Sequence, residues 1–130
     1  MAKQLVFRYG TMNSGKSIDI LKVAHNYEEQ GKKVMLFTTA IDDRYGKGKI
    51  TSRIGISQPA YLINENVFFA VENERPDCVI CDEAQFYNEH IVNELARIVV
   101  ELEIPVICYG LKVDFTGRLF EGSKRLIELA

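Results

Sequence analysis

The stretch that decides the fold is Gly10-Thr11-Met12-Asn13-Ser14-Gly15-Lys16-Ser17, which fits the phosphate-binding pattern G-x-x-x-x-G-K-[ST] at every fixed position. Glycines let a backbone curl until successive N–H groups point at one anion, and a helix that starts there adds the partial positive charge of its N-terminus. Lys16 would carry the mobile charge at the β- and γ-phosphates, and the Ser17 hydroxyl would be an oxygen ligand for Mg²⁺. The stretch therefore predicts a nucleoside triphosphate site.

This pattern is meaningful only where a strand enters the loop and a helix leaves it. Residues 4–9 are predicted as a strand, and residues 16–30 as a helix that stops at Gly31. Residues 33–38 are predicted as the next strand, reached by a crossover long enough for parallel pairing. This order indicates an α/β fold of the P-loop NTPase (RecA-like) type, with three layers and a mainly parallel central sheet. The apolar stripe of the first helix comprises Ile20, Val23, Ala24 and Tyr27.

Composition limits the possible classes of protein. The chain has 130 residues, 47% of them hydrophobic, which suits one domain spanning 1–130 and argues against disorder. The formal charge of −2 gives no global attraction to nucleic acid or to an anionic membrane, so neither is expected as a partner. Apolar runs are too short for a signal peptide or a membrane span, so a cytoplasmic location is expected.

The three cysteines do not form a disulfide framework in a chain of this kind. Cys78 and Cys81 have C-x-x-C spacing, but they lie within a predicted strand, where alternation sends the two thiols to opposite faces. That geometry disfavours a zinc or redox site. Cys108 is predicted to be a small buried hydrophobe.

A second acidic element follows a buried strand. Residues 77–81 form an apolar run typical of a central parallel strand, and Asp82-Glu83-Ala84-Gln85-Phe86 comes directly after it. Ligands in open α/β sheets gather at the carboxyl ends of strands, so Asp82 is expected to hold Mg²⁺ through water. Glu83 is then available to take a proton from a hydroxyl nucleophile or from water. The alternative is that Glu83 only caps the next helix or pairs with a lysine.

The stretch from Ile41 to Ser57 contains three glycines and four positive charges between Arg44 and Arg53. We expect a mobile loop there, because glycines weaken both helices and strands. The loop could close over a triphosphate, or it could be a solvated basic loop, and its sequence does not choose between the two. The remaining predicted elements are a strand at 60–63, a helix at 64–73, a helix at 88–103, a strand at 105–109, a loop at 110–121 and a helix at 122–130.

Five blocks together resemble the catalytic domain of the type II (cytosolic) thymidine kinases, in particular their enterobacterial-like branch. They occur in the order of that family across nearly the whole chain. The blocks are residues 10–17, Ile41-Asp42-Asp43-Arg44-Tyr45, Ser52-Arg53-Ile54-Gly55, Asp82-Glu83-Ala84-Gln85-Phe86 and Cys108-Tyr109-Gly110-Leu111-Lys112-Val113-Asp114-Phe115.

The resemblance implies transfer of the γ-phosphoryl group of ATP to the 5′-hydroxyl of thymidine. It implies that residues 10–17 bind the triphosphate, that residues 82–85 line the ATP and metal site, and that Glu83 accepts the hydroxyl proton. Arg44 and Arg53 would touch phosphates or bridge the two substrates. The positions that match the nucleoside pocket of the family are Met12, Phe86, Leu111, Phe115 and Phe120.

The same family continues into a small domain with a zinc site and a lasso-like loop over the thymine, and it forms homotetramers. Zinc is therefore expected only in that domain, and residues 1–130 are expected to be the kinase domain truncated before it. A chain lacking the lasso could be an ATP-binding P-loop module without kinase activity.

Two other P-loop classes fit less well. Leu111-Lys112-Val113-Asp114 resembles the N-K-x-D motif of GTPases, but Leu111 stands where the asparagine would bind the base. A helicase motor could use the D-E-A-x run, but it needs a second motor domain and a surface for nucleic acid.

Overall fold

A computed structural model describes residues 4–10, 16–39, 49–51, 57–111 and 120–130. A short 3₁₀ turn at Ala84–Phe86 and a π-helical turn at Ile98–Leu102 supplement the regular elements. Those elements are β1 (Leu5–Gly10), α1 (Lys16–Glu29), β2 (Val34–Thr38), β3 (Lys49–Thr51), β4 (Ser57–Pro59), β5 (Tyr61–Leu62), α2 (Val67–Glu74), β6 (Cys78–Cys81), α3 (Glu89–Arg97), β7 (Val106–Leu111) and α4 (Glu121–Leu129).

The centre of the molecule is a five-stranded sheet with the order β1-β7-β6-β2-β5. All of its pairings are parallel, and the register aligns Gly10 with Leu111 and Cys81 with both Phe37 and Cys108. The strands therefore end at one edge, which we call the carboxyl edge. The predicted α/β fold with a parallel central sheet is confirmed.

Helices cover both faces of this sheet. The face toward α1 buries Leu36, Cys78, Ile80 and Tyr109, while the face toward α2, α3 and α4 buries Met35, Phe37, Val79, Cys81, Val106 and Cys108. The alternation predicted for Cys78 and Cys81 is thus confirmed, and both thiols are fully buried. Burial raises the pKa of the Cys81 thiol well above its ordinary value, which keeps it uncharged. Within the described ranges, no helix combines the length and apolarity needed to cross a bilayer.

The first turn of α1 is tied to the sheet near the carboxyl edge. The Tyr109 hydroxyl donates to Asp19 Oδ2 at 2.7 Å, and Arg8 Nη1 donates to the Tyr109 oxygen at 3.0 Å. Asp19 lies in the first turn of α1, whereas Tyr27 near its end packs beside Cys78, the first residue of β6. The helix therefore runs antiparallel to the strands, and it begins at the edge where they end.

On the other face of the sheet, α3 begins where it was predicted to begin, and its predicted apolar stripe faces the core. The Asn88 side chain accepts a hydrogen bond from the Ile91 N–H at 2.8 Å and so caps α3. The last turn predicted for this helix is the π-helical turn at Ile98–Leu102. It ends at Glu103, whose backbone is in the left-handed region. From the stripe, Ile91, Val92, Leu95 and Ile98 are buried, and Val99 and Leu102 pack against the same core.

Two predictions of loop structure are wrong. The stretch from Ile41 to Ser57 is not a loop throughout, because β3 pairs antiparallel with β4 as a separate ribbon. β-branched Ile50 and Thr51 favour this pairing, and the glycines fall outside the two strands. β7 also continues through Gly110 and Leu111, where a loop was predicted, because both residues pair with β1.

Two glycines lie in close contact with the turn after β6. A Cβ on Gly110 would lie 2.7 Å from Gln85 Oε1, and one on Gly122 would lie 2.8 Å from the Tyr87 carbonyl oxygen and overlap the Ala84 carbonyl oxygen. Gly122 is in the first turn of α4, so the missing side chain lets α4 pack directly on the backbone of residues 84–87. Backbone contact of this kind fixes the turn.

We predict that Gly122→Ala destabilises the protein by about 1–3 kcal/mol, because the added methyl group overlaps backbone atoms that cannot move independently. Helix propensity alone would favour alanine by about 1 kcal/mol. The sign of the change in the free energy of unfolding therefore shows whether overlap or propensity dominates. Urea unfolding measures the change. Gly31→Ala serves as the comparison, because Gly31 has φ +74° with open space around it and tests backbone strain without overlap. A more stable Gly122→Ala protein would contradict the packing described.

A second prediction concerns alkaline pH. Burial, with a further contribution from Asp19, raises the pKa of Tyr109 from 10 to about 12. Between these values the unfolded chain has lost the proton that the folded chain keeps, so the free energy of unfolding falls as pH rises through this window. Tyr109→Phe should flatten that fall, as measured by urea unfolding at a series of pH values. Tyr61→Phe, at an exposed position, should leave the slope unchanged, and equal slopes for both variants would count against this origin.

Candidate active site

The acidic turn, residues 82–86, begins where β6 reaches the carboxyl edge. Asp82 is only 5% exposed, and its N–H donates to the Phe37 carbonyl of β2 at 2.8 Å. One carboxylate oxygen, Oδ1, accepts the N–H of Glu83 at 2.8 Å. The Asp82 backbone is therefore bonded to β2, and its carboxylate to the next residue, at the end of a central strand.

Glu83 has an unusual backbone conformation. Its φ of 57° lies in the left-handed region, which costs a non-glycine residue about 1 kcal/mol. Arg75 and Glu103, which share this conformation in the described part of the chain, both end helices, whereas Glu83 follows a strand. The Glu83 side chain makes no capping hydrogen bond to the 3₁₀ turn that follows. Capping of that turn therefore does not explain the conformation.

Gln85 links this turn to the end of β7. It is 3% exposed, its Nε2 donates to Glu83 Oε2 at 2.6 Å, and its Oε1 accepts the Leu111 N–H at 3.2 Å. Both ends of the amide are thus used. Gln85 therefore fixes the orientation of the Glu83 carboxylate relative to β7, the strand between β1 and β6.

Tyr87 also holds this turn in place. Its hydroxyl donates to the Asp82 carbonyl oxygen at 2.6 Å, and the side chain is 1% exposed. Burial raises the pKa of Tyr87 well above its ordinary value, so the hydroxyl stays protonated and remains a donor. Asp82 is therefore anchored through its carbonyl as well as through its N–H.

An aromatic surface lies next to the acidic turn. The rings of Phe86 and Phe120 meet edge to face with their centroids 5.8 Å apart, and Phe86 is 41% exposed. The Ser123 hydroxyl donates to the Leu111 carbonyl oxygen, which ties α4 to the end of β7. Phe86 and Phe120, two of the positions predicted for the nucleoside pocket, are thus in direct contact, and Leu111, a third, is bonded to Gln85 and to Ser123 of the same two segments.

The phosphate-binding stretch is described only at its two ends. Gly10 ends β1 opposite Leu111, and Lys16 and Ser17 begin α1. Since α1 begins at the carboxyl edge, both ends of the stretch lie at the same edge as Asp82. The predicted site residues Thr11, Met12, Asn13, Ser14, Gly15, Arg44, Arg53 and Phe115 lie outside the described residues.

The donor set suits magnesium better than a metal held by protein alone. No group of three or more His, Cys, Asp or Glu side chains that could hold a metal occurs within the ranges described above. Mg²⁺ is commonly bound by one or two carboxylates together with substrate phosphates and water. A single buried carboxylate at the edge where α1 begins matches that arrangement.

Sequence reasoning missed several residues that shape this site. Three of them, Tyr87, Gly122 and Ser123, contact the acidic turn or the end of β7 only in the folded chain. No sequence pattern around them indicates a binding site. Gly110 carried a weak signal, because a glycine at the end of an apolar strand often marks a close approach of two backbones. The strain at Glu83 has no signature in sequence.

Comparison with known proteins identifies the family. The model of the family described as thymidine kinase matches residues 3–130. The thymidine kinase of Lactococcus lactis subsp. lactis is 56% identical over 131 residues, and the alignment covers 98% of this chain and 69% of that protein. Thymidine kinases of Streptococcus gordonii and Streptococcus pyogenes are each 53% identical with the same coverage. The resemblance found in the sequence is confirmed, and the chain belongs to the thymidine kinase family.

Proposed function

We propose that this protein transfers the γ-phosphoryl group of ATP to the 5′-hydroxyl of thymidine, with Glu83 as the general base. Family membership supports ATP and thymidine as the substrates. The observation that carries the residue assignment is the half-buried Glu83 carboxylate, held by Gln85 in a strained conformation beside buried Asp82. Strain of this kind is retained where a side chain must be aimed.

In this proposal ATP lies along the carboxyl edge. Residues 10–17 bind the triphosphate, with Lys16 at the β- and γ-phosphates, and residues 82–85 line the site from the opposite strand. Asp82 and Ser17 would hold Mg²⁺, which would neutralise charge on the phosphates. Arg44 and Arg53 contact phosphates or bridge the two substrates.

The chemical step needs alignment and one proton acceptor. The Glu83 carboxylate takes the proton of the 5′-hydroxyl as that oxygen bonds to the γ-phosphorus, and the bond to the β-phosphate oxygen breaks to release ADP. Gln85 limits rotation of the carboxylate through its 2.6 Å hydrogen bond. A fixed base contributes to rate because phosphoryl transfer depends mainly on positioning.

The nucleoside base is proposed to pack against the Phe86–Phe120 pair and Leu111, with Met12 and Phe115 completing the enclosure. A flat pyrimidine suits aromatic and thioether neighbours. The edge-to-face contact at 5.8 Å keeps the two rings in place before substrate arrives.

Several wider features follow from the resemblance alone. We propose that residues 1–130 form one P-loop nucleoside kinase domain, that the protein is a cytoplasmic homotetramer, and that zinc belongs to a separate domain. Nucleic acid and membrane are not proposed as partners.

Glu83→Gln should lower kcat by about 10²–10⁴-fold while ATP still binds, because the amide keeps the shape and loses the base. Steady-state kinetics with thymidine and a separate nucleotide-binding assay measure the two effects. Glu72→Gln, at an exposed position of α2, is the matched control and should leave kcat unchanged. An unchanged kcat in Glu83→Gln would remove Glu83 as the base. A parent protein that binds ATP without thymidine-dependent turnover would instead favour the non-catalytic P-loop module.

Phe120→Ala should raise the KM for thymidine by about 10-fold and leave the KM for ATP within about twofold, because it removes roughly one aromatic contact of 0.5–1.5 kcal/mol together with buried area. Phe69→Ala is the matched control, since Phe69 is 64% exposed on α2. Equal changes in both KM values would argue against a nucleoside-specific role for Phe120.

A further inference from the structure

The side chain of Thr39 contains a buried hydroxyl group that has no hydrogen-bond partner. Its Oγ1 is shielded from solvent, and nothing in the described part of the chain donates to it or accepts from it. Most buried polar side-chain atoms in folded proteins are paired, so an unpaired hydroxyl points to a partner that the protein itself does not supply.

Thr39 follows β2 directly, at the carboxyl edge. The β2 carbonyl groups beside it are already used, since Phe37 O accepts the Asp82 N–H and Thr38 O accepts the Ile63 N–H, both at 2.8 Å. These two bonds hold the end of β2 between β6 and the residue after β5. The backbone that leads to Thr39 is therefore held in place from both sides.

The register relates Thr39 to Glu83. Phe37 is aligned with Cys81, and two further residues along each chain lead to Thr39 and to Glu83. Phe37 and Cys81 share the face away from α1, and strand alternation continued past β2 puts Thr39 on that face. Thr39 is then on the face of the sheet away from the helix that begins at the phosphate-binding stretch, at the end of the strand next to the one that leads to Glu83.

We propose that the Thr39 hydroxyl is a substrate-binding group, and that its partner is a sugar hydroxyl of the bound nucleoside. This inference rests on the proposed function. A sugar hydroxyl can both donate and accept, as the threonine hydroxyl can, and the neighbouring Glu83 is the group assigned to the 5′-hydroxyl. A phosphate oxygen fits less well, because the phosphates belong near the start of α1.

An unpaired hydroxyl of this kind would strengthen nucleoside binding and lower the stability of the free protein. Without substrate the buried hydroxyl has lost its water and gained no partner, so it weakens the folded state. Thr39 itself is partly exposed while its Oγ1 is not, so a turn of the side chain toward the nucleoside brings the hydroxyl to its partner, and the hydrogen bond then forms with no further loss of water from the hydroxyl. Removing the hydroxyl should therefore stabilise the free protein and weaken nucleoside binding at the same time.

The test compares Thr39→Val, which keeps the shape and removes the hydroxyl, with Thr39→Ser, which keeps the hydroxyl. In the full chain, Thr39→Val should raise the KM for thymidine by about 10-fold, leave the KM for ATP within about twofold, and raise the melting temperature without ligand. Thr39→Ser should retain a KM for thymidine within about threefold of the parent value. An unchanged KM for thymidine in Thr39→Val, or a lowered melting temperature without ligand, would overturn the assignment.

A substrate analogue identifies the hydroxyl involved. If Thr39 contacts the 3′-hydroxyl, Thr39→Val should bind 3′-deoxythymidine as well as the parent protein does; if it contacts the 5′-hydroxyl, the loss of affinity should persist with that analogue. In that case Thr39→Val should bind 5′-deoxythymidine as well as the parent protein does, and a loss of affinity that persists with both analogues would overturn a sugar hydroxyl as the partner. A parent protein that neither binds nor phosphorylates thymidine overturns both this inference and the proposed function, whereas an active parent with an unaffected Thr39→Val variant overturns this inference alone.

Discussion

The site depends on one side chain that is bonded at both ends. Gln85 accepts the Leu111 N–H and donates to the Glu83 carboxylate, so it connects the end of β7 to the turn after β6. This is possible only because Gly110 has no Cβ, since a methyl group there would lie 2.7 Å from Gln85 Oε1. The absence of a side chain at Gly110 therefore leaves room for the amide that holds the Glu83 carboxylate.

The second constraint is the parallel sheet itself. Parallel strands end at one edge, and α1 is held to that edge by the hydrogen bond from Tyr109 to Asp19 at 2.7 Å. β7 contributes to both arrangements, because Tyr109 contacts the first turn of α1 while Leu111 contacts Gln85. A displacement of β7 would move the start of the phosphate-binding helix and the acidic turn together. We infer that the two substrate regions are aligned by one strand.

Sequence patterns predicted the elements that repeat regularly and failed where a contact is made between distant residues. The alternation that separates Cys78 from Cys81 and the stripe of α3 follow from periodicity, so both were predictable. The pairing of β3 with β4 was missed because the glycines nearby dominated the composition of that stretch. The contacts of Gly122 and Tyr87 with the acidic turn join segments that are far apart or use backbone atoms, and neither leaves a local signal. The phosphate-binding stretch and the acidic pair, Asp82 and Glu83, could be predicted because their patterns are local, and their chemical roles stay predictions.

Features that reduce stability are concentrated at the carboxyl edge. Glu83 has a left-handed backbone, and Thr39 buries an unpaired hydroxyl two residues beyond the pair Phe37 and Cys81. Elsewhere in the described chain, left-handed residues end helices, where they satisfy ordinary requirements of backbone geometry. A folded protein retains such costs when the surrounding structure holds them, and here the Asp82 and Tyr87 hydrogen bonds do so. The strain and the unpaired group lie on adjacent strands at the edge where α1 begins, which is the arrangement expected of a surface whose remaining partner is a substrate.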